Sequence, residues 1–215
     1  MFKEIKQNQW EKVYEYKEHK NSVNSVVFAP HEYGLILLAC SSDGFISLHE
    51  YKSKYNNNIL DDNWVSNLYD AHAFGVTSIS WEPSTREDQT IRFVSGGNDN
   101  KLKIWSINRL RNNPEKIFDL EGHTEVITDV AWFNNLNGRS TIASCGKVKD
   151  NLLKDNVVYI WSFVDNEWTK AELMTFDCNV SRINWSQCGN NLAVCLSNYY
   201  VYVFKVDYVL ILGKC

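Results

Sequence analysis

At 215 residues, the chain is long enough for one large domain or one array of repeats, and an all-β array of this size needs no division into separate domains. Its hydrophobic content of 44% and its eight Trp residues supply ample material for a core. A formal net charge of −4 argues against binding a polyanion through bulk electrostatics.

Strands are predicted wherever short apolar runs alternate with polar residues. Residues 10–17 alternate in this way and predict one strand with no earlier strand to pair with. The first repeat, 19–69, follows. The Asp43-Gly44 dipeptide inside it favours a tight hairpin, because Gly accepts the positive φ that the turn needs. Its predicted strands are 23–28, 35–41, 45–51 and 64–69, with a polar loop over 56–62.

Three further repeats are predicted at 72–120, 123–176 and 178–212. Each begins with an apolar strand that ends on Trp, and the second and third strands follow after short turns. The segment 146–154 lengthens a turn that is short in the other repeats, so we expect a surface loop there. Helical periodicity is almost absent.

Neither a secretory leader nor a membrane span is predicted. Residues 1–6 contain no apolar core, and the apolar stretch 199–212 is interrupted by Lys205 and Asp207. The six Cys form no C-x-x-C pair, and Cys40 and Cys195 lie in apolar strands, so they are interpreted as buried, reduced thiols. These features indicate a cytosolic or nuclear protein.

The spacing of marked residues shows that the units repeat. His19, His72 and His123 each stand nine residues before the aromatic that ends the first strand. Those aromatics, together with the equivalent in the last repeat, are Phe28, Trp81, Trp132 and Trp185, which are 53, 51 and 53 residues apart. Four-stranded units at such a period are typical of a β-propeller. The predicted fold is all-β: a single partial propeller over 1–215, with four complete four-stranded blades and one N-terminal outer strand in an open arc.

The repeated polar residues have a predicted structural role. In each repeat, a loop His can bond a Ser on the second strand and the Asp of the next turn, while a Trp on the third strand donates its indole N–H. In repeats one and four, Cys40 and Cys195 stand where the Ser is expected. Repeat one has His49 for Trp, and repeat four has Phe176 for His and Asn198 for Asp. The predicted network residues are His19, Asp43, His72, Ser95, Asp99, Trp105, His123, Ser144, Asp155 and Trp161.

Catalysis or metal binding is the alternative use of three His and three Asp. A single active site would draw different residues together once, whereas these recur as one pair per repeat at a fixed spacing. The sequence also lacks a Gly-rich phosphate loop and a G-x-S-x-G motif. We therefore predict no catalytic residue, no metal site and no cofactor.

The block Ala29-Pro30-His31-Glu32-Tyr33-Gly34 is the most specific of several stretches that together cover most of 10–205. These stretches resemble the WD-repeat propeller family, and in particular those of its members that belong to the COPII vesicle outer coat and the nuclear-pore Y complex. Further similar segments are 70–76, 103–105 and 120–132. The resemblance implies six blades, with repeat one matching the third of them and strand 10–17 the outer strand of the second.

The resemblance implies a non-enzymatic scaffold in ER-to-Golgi transport and at the nuclear pore, located in the cytoplasm at the ER membrane and on COPII vesicles, and at the nuclear envelope. Its partner is an α-solenoid subunit that donates a blade to exposed sheet edges. Direct contact with nucleic acid is not expected, and membrane association occurs only through the coat. Self-association of an open arc is also expected. The predicted partner-binding residues are Val180, Ile183, Trp185, Tyr200, Tyr202 and Phe204.

Other functions stay open at this point. The same fold serves related nucleoporins and nutrient-signalling propellers with other solenoid partners. It also serves adaptors that read short peptides on the top face of the propeller. An enzyme is the remaining class.

Overall fold

The computed structural model describes residues 1–56, 59–83, 90–108, 113–134, 139–147 and 156–205. Within these ranges the regular structure consists of antiparallel strands and one short 3₁₀ turn, His31–Tyr33. An N-terminal hairpin pairs β1 (Phe2–Lys6) with β2 (Gln9–Lys12). The prediction of an all-β array of repeated sheets is confirmed.

Four sheets follow the hairpin, and we call them blades 1 to 4. Blade 1 comprises β3 (Val23–Phe28), β4 (Ile36–Ser41), β5 (Phe45–Asn56) and β6 (Ile59–Asp70). Blade 2 comprises β7 (Val76–Trp81), β8 (Thr90–Gly97), β9 (Lys101–Asn108) and β10 (Pro114–Glu121). Blade 3 comprises β11 (Val126–Asn134), β12 (Ser140–Lys147), β13 (Val157–Val164) and β14 (Glu167–Thr175). The described strands of blade 4 are β15 (Val180–Trp185), β16 (Asn191–Leu196) and β17 (Val201–Lys205).

The core lies between consecutive blades, in three apolar clusters. Strand side chains alternate between the two faces of a sheet, so each blade has two distinct apolar faces. We call the face that packs on the preceding blade the incoming face; in blade 2 it carries Val76, Ile79 and Trp81. The face that packs on the following blade is the outgoing face. In blade 1 it carries Leu38, Cys40, Ile46 and Leu48.

The N-terminal segment differs from its prediction as one strand over 10–17. Strand structure ends at Lys12, and β2 pairs with β1 through a turn in which Asn8 has a positive φ of 62°. Residues 13–17 continue without strand pairing and place Tyr14 and Tyr16 against the side chain of His49. Aromatic packing on blade 1 thus replaces the ladder bonds that a strand would have made.

The polar loop predicted at 56–62 is also corrected by the structure, apart from 57 and 58, which lie outside the described residues. Strands β5 and β6 form a long hairpin whose pairing runs without a bulge from Phe45 opposite Asp70 to Asn56 opposite Ile59. Backbone pairing therefore extends through residues whose polar composition suggested a loop, because a ladder depends on N–H and C=O groups that every residue but Pro carries.

Two predictions fall partly outside the described residues. Of the expected loop at 146–154, Gly146 and Lys147 belong to β12, and 148–154 are not described. The fourth strand expected within 206–212 of the last repeat is likewise outside the described ranges.

Candidate functional site

Blade 2 brings four predicted network residues together. The His72 ring lies in the loop before β7, with Nδ1 2.7 Å from Asp99 Oδ1 and Nε2 2.8 Å from Ser95 Oγ. The indole Nε1 of Trp105 donates to the same Ser95 Oγ at 2.9 Å. His72 and Ser95 are fully buried. One hydroxyl therefore links the loop before the first strand to the second and third strands.

The direction of each hydrogen bond follows from the chemistry of its groups. Burial lowers the pKa of the His72 imidazole, and this outweighs the nearby Asp99. Burial acts to raise the pKa of the Asp99 carboxyl, but hydrogen bonds from His72 and from the Lys101 backbone N–H, with the charge of Lys103, lower it overall. A carboxylate only accepts, so Nδ1–H of a neutral His72 donates to it. Nε2 then accepts from the Ser95 hydroxyl, whose oxygen accepts from Trp105.

Blade 3 repeats the part of this arrangement that the structure describes. The hydroxyl of Ser144 lies 2.8 Å from His123 Nε2, and the indole of Trp161 donates to it at 2.8 Å. The fourth predicted member, Asp155, lies outside the described residues. The same three-group chain therefore recurs one blade further along.

Blade 1 builds its network from different residues than the sequence suggested. His19 Nδ1 is 3.1 Å from Asp43 Oδ2, as in blade 2, but its Nε2 lies 2.9 Å from Ser47 Oγ. The expected second-strand residue, Cys40, instead packs in the apolar cluster between blades 1 and 2, where burial raises the pKa of its thiol to about 12. A hydroxyl on the third strand thus replaces the one on the second.

His49 takes the place of Trp in blade 1. Its Nε2 is 2.8 Å from Ser47 Oγ, and its Nδ1 is 2.9 Å from the hydroxyl of Tyr14. Burial, with a smaller effect of nearby His19, lowers the pKa of His49 to about 4. A neutral His49 can donate from Nε2 to Ser47 and accept from Tyr14 at Nδ1. The network therefore reaches the N-terminal segment, a contact that no repeated spacing predicts.

Two glycines leave room for the blade 2 network. Gly44 follows Asp43 in the turn of blade 1 with a φ of 93°, and a Cβ there would overlap the carbonyl oxygen of His72. Gly97 precedes the Asp99 turn, and a Cβ on it would overlap the His72 ring. The Asp-Gly turn predicted from the sequence thus serves the neighbouring blade as well as its own.

A buried carboxylate connects the inner strands of three blades. Asp129 on β11 accepts from the Ser78 hydroxyl of blade 2 at 2.6 Å, and from the backbone N–H of Ile183 in blade 4 at 2.9 Å. Burial raises the pKa of its carboxyl, which these donors only partly offset. The sequence analysis missed this residue; the signal is an acidic side chain inside an otherwise apolar first strand.

A second buried acid joins blades 2 and 3 at the far end of the inner strands. Glu82 receives two hydrogen bonds from the Arg92 guanidinium, at 2.6 and 2.9 Å. The Ser140 hydroxyl of blade 3 donates to it at 2.6 Å. Paired in this way, the buried charge of Glu82 fixes the contact between two sheets.

The predicted partner-binding residues of blade 4 differ in their accessibility. Val180, Ile183 and Trp185 are buried in the cluster between blades 3 and 4, on the incoming face. Tyr202 and Phe204 lie on the same face, with ring centroids 5.7 and 6.2 Å from that of Phe176. Tyr200 is exposed.

The outgoing face of blade 4 instead presents Val201 and Val203, which alternate with the predicted residues and are exposed. A shift of one residue along a strand moves a side chain to the opposite face of the sheet. The spacing of Val180, Ile183 and Trp185 indicates their burial, because it repeats the pattern of the buried first-strand residues in the other blades.

The described ranges hold no group of three or more His, Cys, Asp or Glu side chains arranged to bind a metal ion. In the same ranges no helix has the length and apolar character to cross a membrane. Cys40 and Cys145 are buried free thiols, as predicted for the first, whereas Cys195 is only half-buried and Cys188 is exposed.

Successive antiparallel four-stranded sheets, joined face to face and braced by His, Ser, Asp and Trp, define an open β-propeller of the WD type. The WD domain, G-beta repeat family (WD40) matches residues 10–50, 64–106 and 114–162. The chain belongs to this family.

Among WD-repeat proteins, the chain is similar to Sec13 proteins. It is 38% identical over 198 residues to "Protein transport protein sec13" of Aspergillus clavatus, which covers 86% of this chain and 62% of that protein. It is 40% identical over 200 residues to "Protein SEC13 homolog" of Drosophila melanogaster, covering 86% of this chain and 52% of that protein. The chain therefore spans about half to two thirds of the length of these relatives.

The fold is also similar to the crystal structure of the computationally designed Ika4 protein. The TM-score is 0.58 at 18% sequence identity, and the match covers 92% of this chain and 99% of that one. At this identity the likeness concerns the fold alone. The recognition of a Sec13-like WD-repeat propeller is confirmed by the Sec13 relatives.

Proposed function

We propose that the chain is a non-enzymatic scaffold subunit of the COPII vesicle outer coat and the nuclear-pore Y complex. The observation that carries the proposal is the 38% identity over 198 residues to a protein named for protein transport. Such a subunit acts in the cytoplasm at the ER membrane and on transport vesicles, and at the nuclear envelope. It reaches the membrane through the coat.

The hydrogen-bond networks support a structural role in place of catalysis. In blade 2 each member of the chain from Trp105 to Asp99 has a partner, and the hydroxyl at its centre is fully buried. A catalytic group needs access to a substrate within hydrogen-bond reach. The network instead ties the turns of a blade to its strands, where backbone pairing cannot do so.

The partner we propose is an α-solenoid subunit that adds β structure to blade 4. The outgoing face there exposes Val201 and Val203, and β17 is the last described strand of its sheet. An added strand would satisfy the backbone groups of a sheet edge, and its apolar side chains would cover the exposed valines. We therefore propose that the partner contact involves residues adjacent to those that the sequence suggested.

Reconstitution with purified α-solenoid coat and nuclear-pore subunits tests the proposal. We expect the chain to co-purify with one of them as a stoichiometric complex, and Val203→Asp to abolish the complex. Ile117→Asp is the matched control, since Ile117 is exposed on β10 of an internal blade. Failure to bind any such subunit, or equal binding by the Val203→Asp chain, would contradict the proposal.

A second candidate, a peptide-binding adaptor, is favoured by one cavity. A space of about 530 Å³ opens where the inner strands of all four blades begin. Lys147 and Arg182 are the charged residues that line it, and its other lining residues are neutral. Its neutral lining residues include Asn24, Thr77, Thr128, Asn179 and Ser181. Binding of an acidic peptide that is lost in Arg182→Ala, while the solenoid complex forms normally, would support this second function.

A further inference from the structure

The loop between β6 and β7 presents an aromatic side chain that the fold does not require. Phe74 is 72% exposed, and this exposure does not arise at an end of the array, because blade 2 packs between blades 1 and 3. At the equivalent position the other blades have Asn21, Glu125 and Cys178. A structural constraint of the repeat would give the same residue type each time. The aromatic ring at this position therefore has a use that is specific to blade 2.

The backbone around Phe74 is held on both sides. The Phe74 carbonyl accepts a hydrogen bond from the Asn98 side chain at 2.7 Å, and the backbone N–H of Asn98 donates to the carbonyl of Gly75 at 2.9 Å. Gly75 has a φ of 108°, and a Cβ there would lie 3.0 Å from the carbonyl oxygen of Ser42. The buried ring of His72 ties the start of the loop to the blade 2 network. A ring on such a fixed backbone loses little conformational entropy when it binds a ligand.

A hollow of about 510 Å³ lies beside this ring, where blades 2 and 3 meet at the surface. Its wall is built from the loop before β7, the turn between β8 and β9, and the start of β11. The residues that line it are Phe74, Asn98, Asn100, Glu125 and Val126.

The polar groups of this hollow are hydrogen-bond acceptors. The side-chain amide of Asn98 donates to the Phe74 carbonyl, and that of Asn100 donates to the Thr124 carbonyl at 2.8 Å. Within the described part of the chain, neither amide oxygen receives a hydrogen bond, so each keeps its capacity to accept. The carboxylate of Glu125 also only accepts. A ligand that complements this wall carries several donors and a flat surface for the aromatic ring.

We propose that the hollow binds the guanidinium group of an arginine in an extended peptide segment of a partner protein. The guanidinium is planar and stacks on the ring of Phe74, and its five N–H donors serve the two amide oxygens and the carboxylate of Glu125. An ammonium group is a compact charge that cannot stack in this way and has fewer donors. The formal net charge of −4 favours the approach of a cationic segment.

The charges around the hollow favour a peptide over the free amino acid. Glu125 is the charged residue among those that line it, and the neighbouring Lys101 is paired with Glu121 at 2.6 Å. The carboxylate of free arginine would therefore meet a like charge, with no cation among the described lining residues to receive it. An arginine inside a peptide has neutral amides in that place.

This inference does not rest on the scaffold role or on the acidic-peptide cavity. Lys147 and Arg182 line that cavity, and neither of them lines the hollow. Arg182→Ala and Val203→Asp should therefore leave arginine binding unchanged. Phe74→Ala should in turn leave the solenoid complex intact. The proposals consequently fail in different experiments.

NMR titration of the isotope-labelled chain with blocked pentapeptides tests the proposal. The probes are acetyl-Gly-Ala-Arg-Ala-Gly-amide and the same peptide with Lys or Gln in place of Arg. We expect the Arg peptide to bind about five- to tenfold more tightly than the Lys peptide, and the Gln peptide not to bind. The largest shift changes should be those of Phe74, Asn98 and Asn100. Equal affinity for the Arg and Lys peptides, no binding of the Arg peptide, or equally tight binding of free arginine overturns the proposal.

Two variants with matched controls locate the site. Phe74→Ala should weaken binding of the Arg peptide about tenfold, and Glu125→Gln should weaken it about threefold and reduce its dependence on salt. Phe2→Ala and Glu115→Gln are the controls, because both residues are exposed and lie away from the hollow, on β1 and β10. Circular dichroism spectra that match the wild type confirm that each variant is folded. Unchanged affinity in Phe74→Ala, or an equal loss in Phe2→Ala, overturns the proposal.

Discussion

Ser95→Ala removes the hydroxyl at the centre of the blade 2 network and should lower the free energy of unfolding. The change leaves two buried polar groups without their partner, Nε2 of His72 and Nε1 of Trp105. A buried group that loses its hydrogen bond costs about 1–3 kcal/mol. We therefore expect the free energy of unfolding to fall by roughly 2–4 kcal/mol, since partial relaxation lowers the sum of the two losses.

Urea unfolding followed by far-UV circular dichroism measures this loss without dependence on Trp fluorescence. The slope of free energy against urea should stay constant, so that the change in midpoint reports stability alone. Ser106→Ala is the control, because Ser106 lies on the same blade and is half-buried. It should cost no more than about 0.5 kcal/mol, as is usual for substitutions away from buried networks.

A double-mutant cycle identifies the hydrogen bond as the cause. Trp105→Phe removes the indole donor, so Ser95→Ala in that background leaves only His72 without its partner. The cost of Ser95→Ala should then be smaller by about 1–2 kcal/mol than in the wild-type chain. Equal costs in the two backgrounds, or a cost no larger than that of Ser106→Ala, would refute the assignment of Ser95 as the centre of the network.

Three more predictions concern buried ionisable groups. The pKa of His49 is lowered from 6.5 to about 4, so the unfolded chain binds a proton below pH 6.5 that the folded chain does not. The free energy of unfolding should therefore fall as pH drops from 6.5 to 4, by at most about 1.4 kcal/mol per pH unit. In His49→Trp, urea midpoints measured across that pH range should change less. Asp129→Ala leaves the N–H of Ile183 without its acceptor. The free energy of unfolding measured in urea should fall by about 2–4 kcal/mol. An unchanged midpoint would show that the carboxylate does not join the blades. Arg92→Ala leaves the buried Glu82 carboxylate without its ion-pair partner and should lower the melting temperature. Adding Glu82→Gln should recover part of the loss. If it does not, the unpaired charge is not the cause.

The blades and most of the bracing residues could be predicted because a repeat reports the same constraint several times. A His at a fixed distance before an aromatic, found in three units, indicates a structural contact even before any strand is placed. In blade 2 the predicted residues His72, Ser95 and Asp99 lie together. Spacing along the chain was sufficient there because the strands and turns between them have regular lengths.

Contacts that occur once could not be read in the same way. Ser47 replaces the expected Cys40 because it pairs across the ladder with Ala39 and points to the loop that holds His19. The approach of Tyr14 to His49 depends on how the N-terminal segment turns back over blade 1. Neither contact has a counterpart in another repeat, so the pattern offered nothing to compare.

Equivalent positions on the faces of different blades can differ in exposure. Val26 and Ile79 occupy the same position in their repeats, yet one is exposed and the other buried. The pattern identifies which side chains belong to a junction, but the presence of a neighbour decides whether the junction is formed. An exposed apolar strand whose equivalents are buried therefore predicts a covering segment, of the same protein or of another, that resembles the blade packed on those equivalents.

The difference between covered and uncovered blade faces affects stability. In a repeat array the energy resides in the units and in the interfaces between neighbours. The described blades form three junctions with one another, and a partner on the outgoing face of blade 4 would add a further one. A partner that covers Val203 should therefore raise the melting temperature by stabilising blade 4. Hydrogen exchange that slows first in β15 to β17 when the partner binds would locate the gain in blade 4, whereas uniform slowing would place it elsewhere.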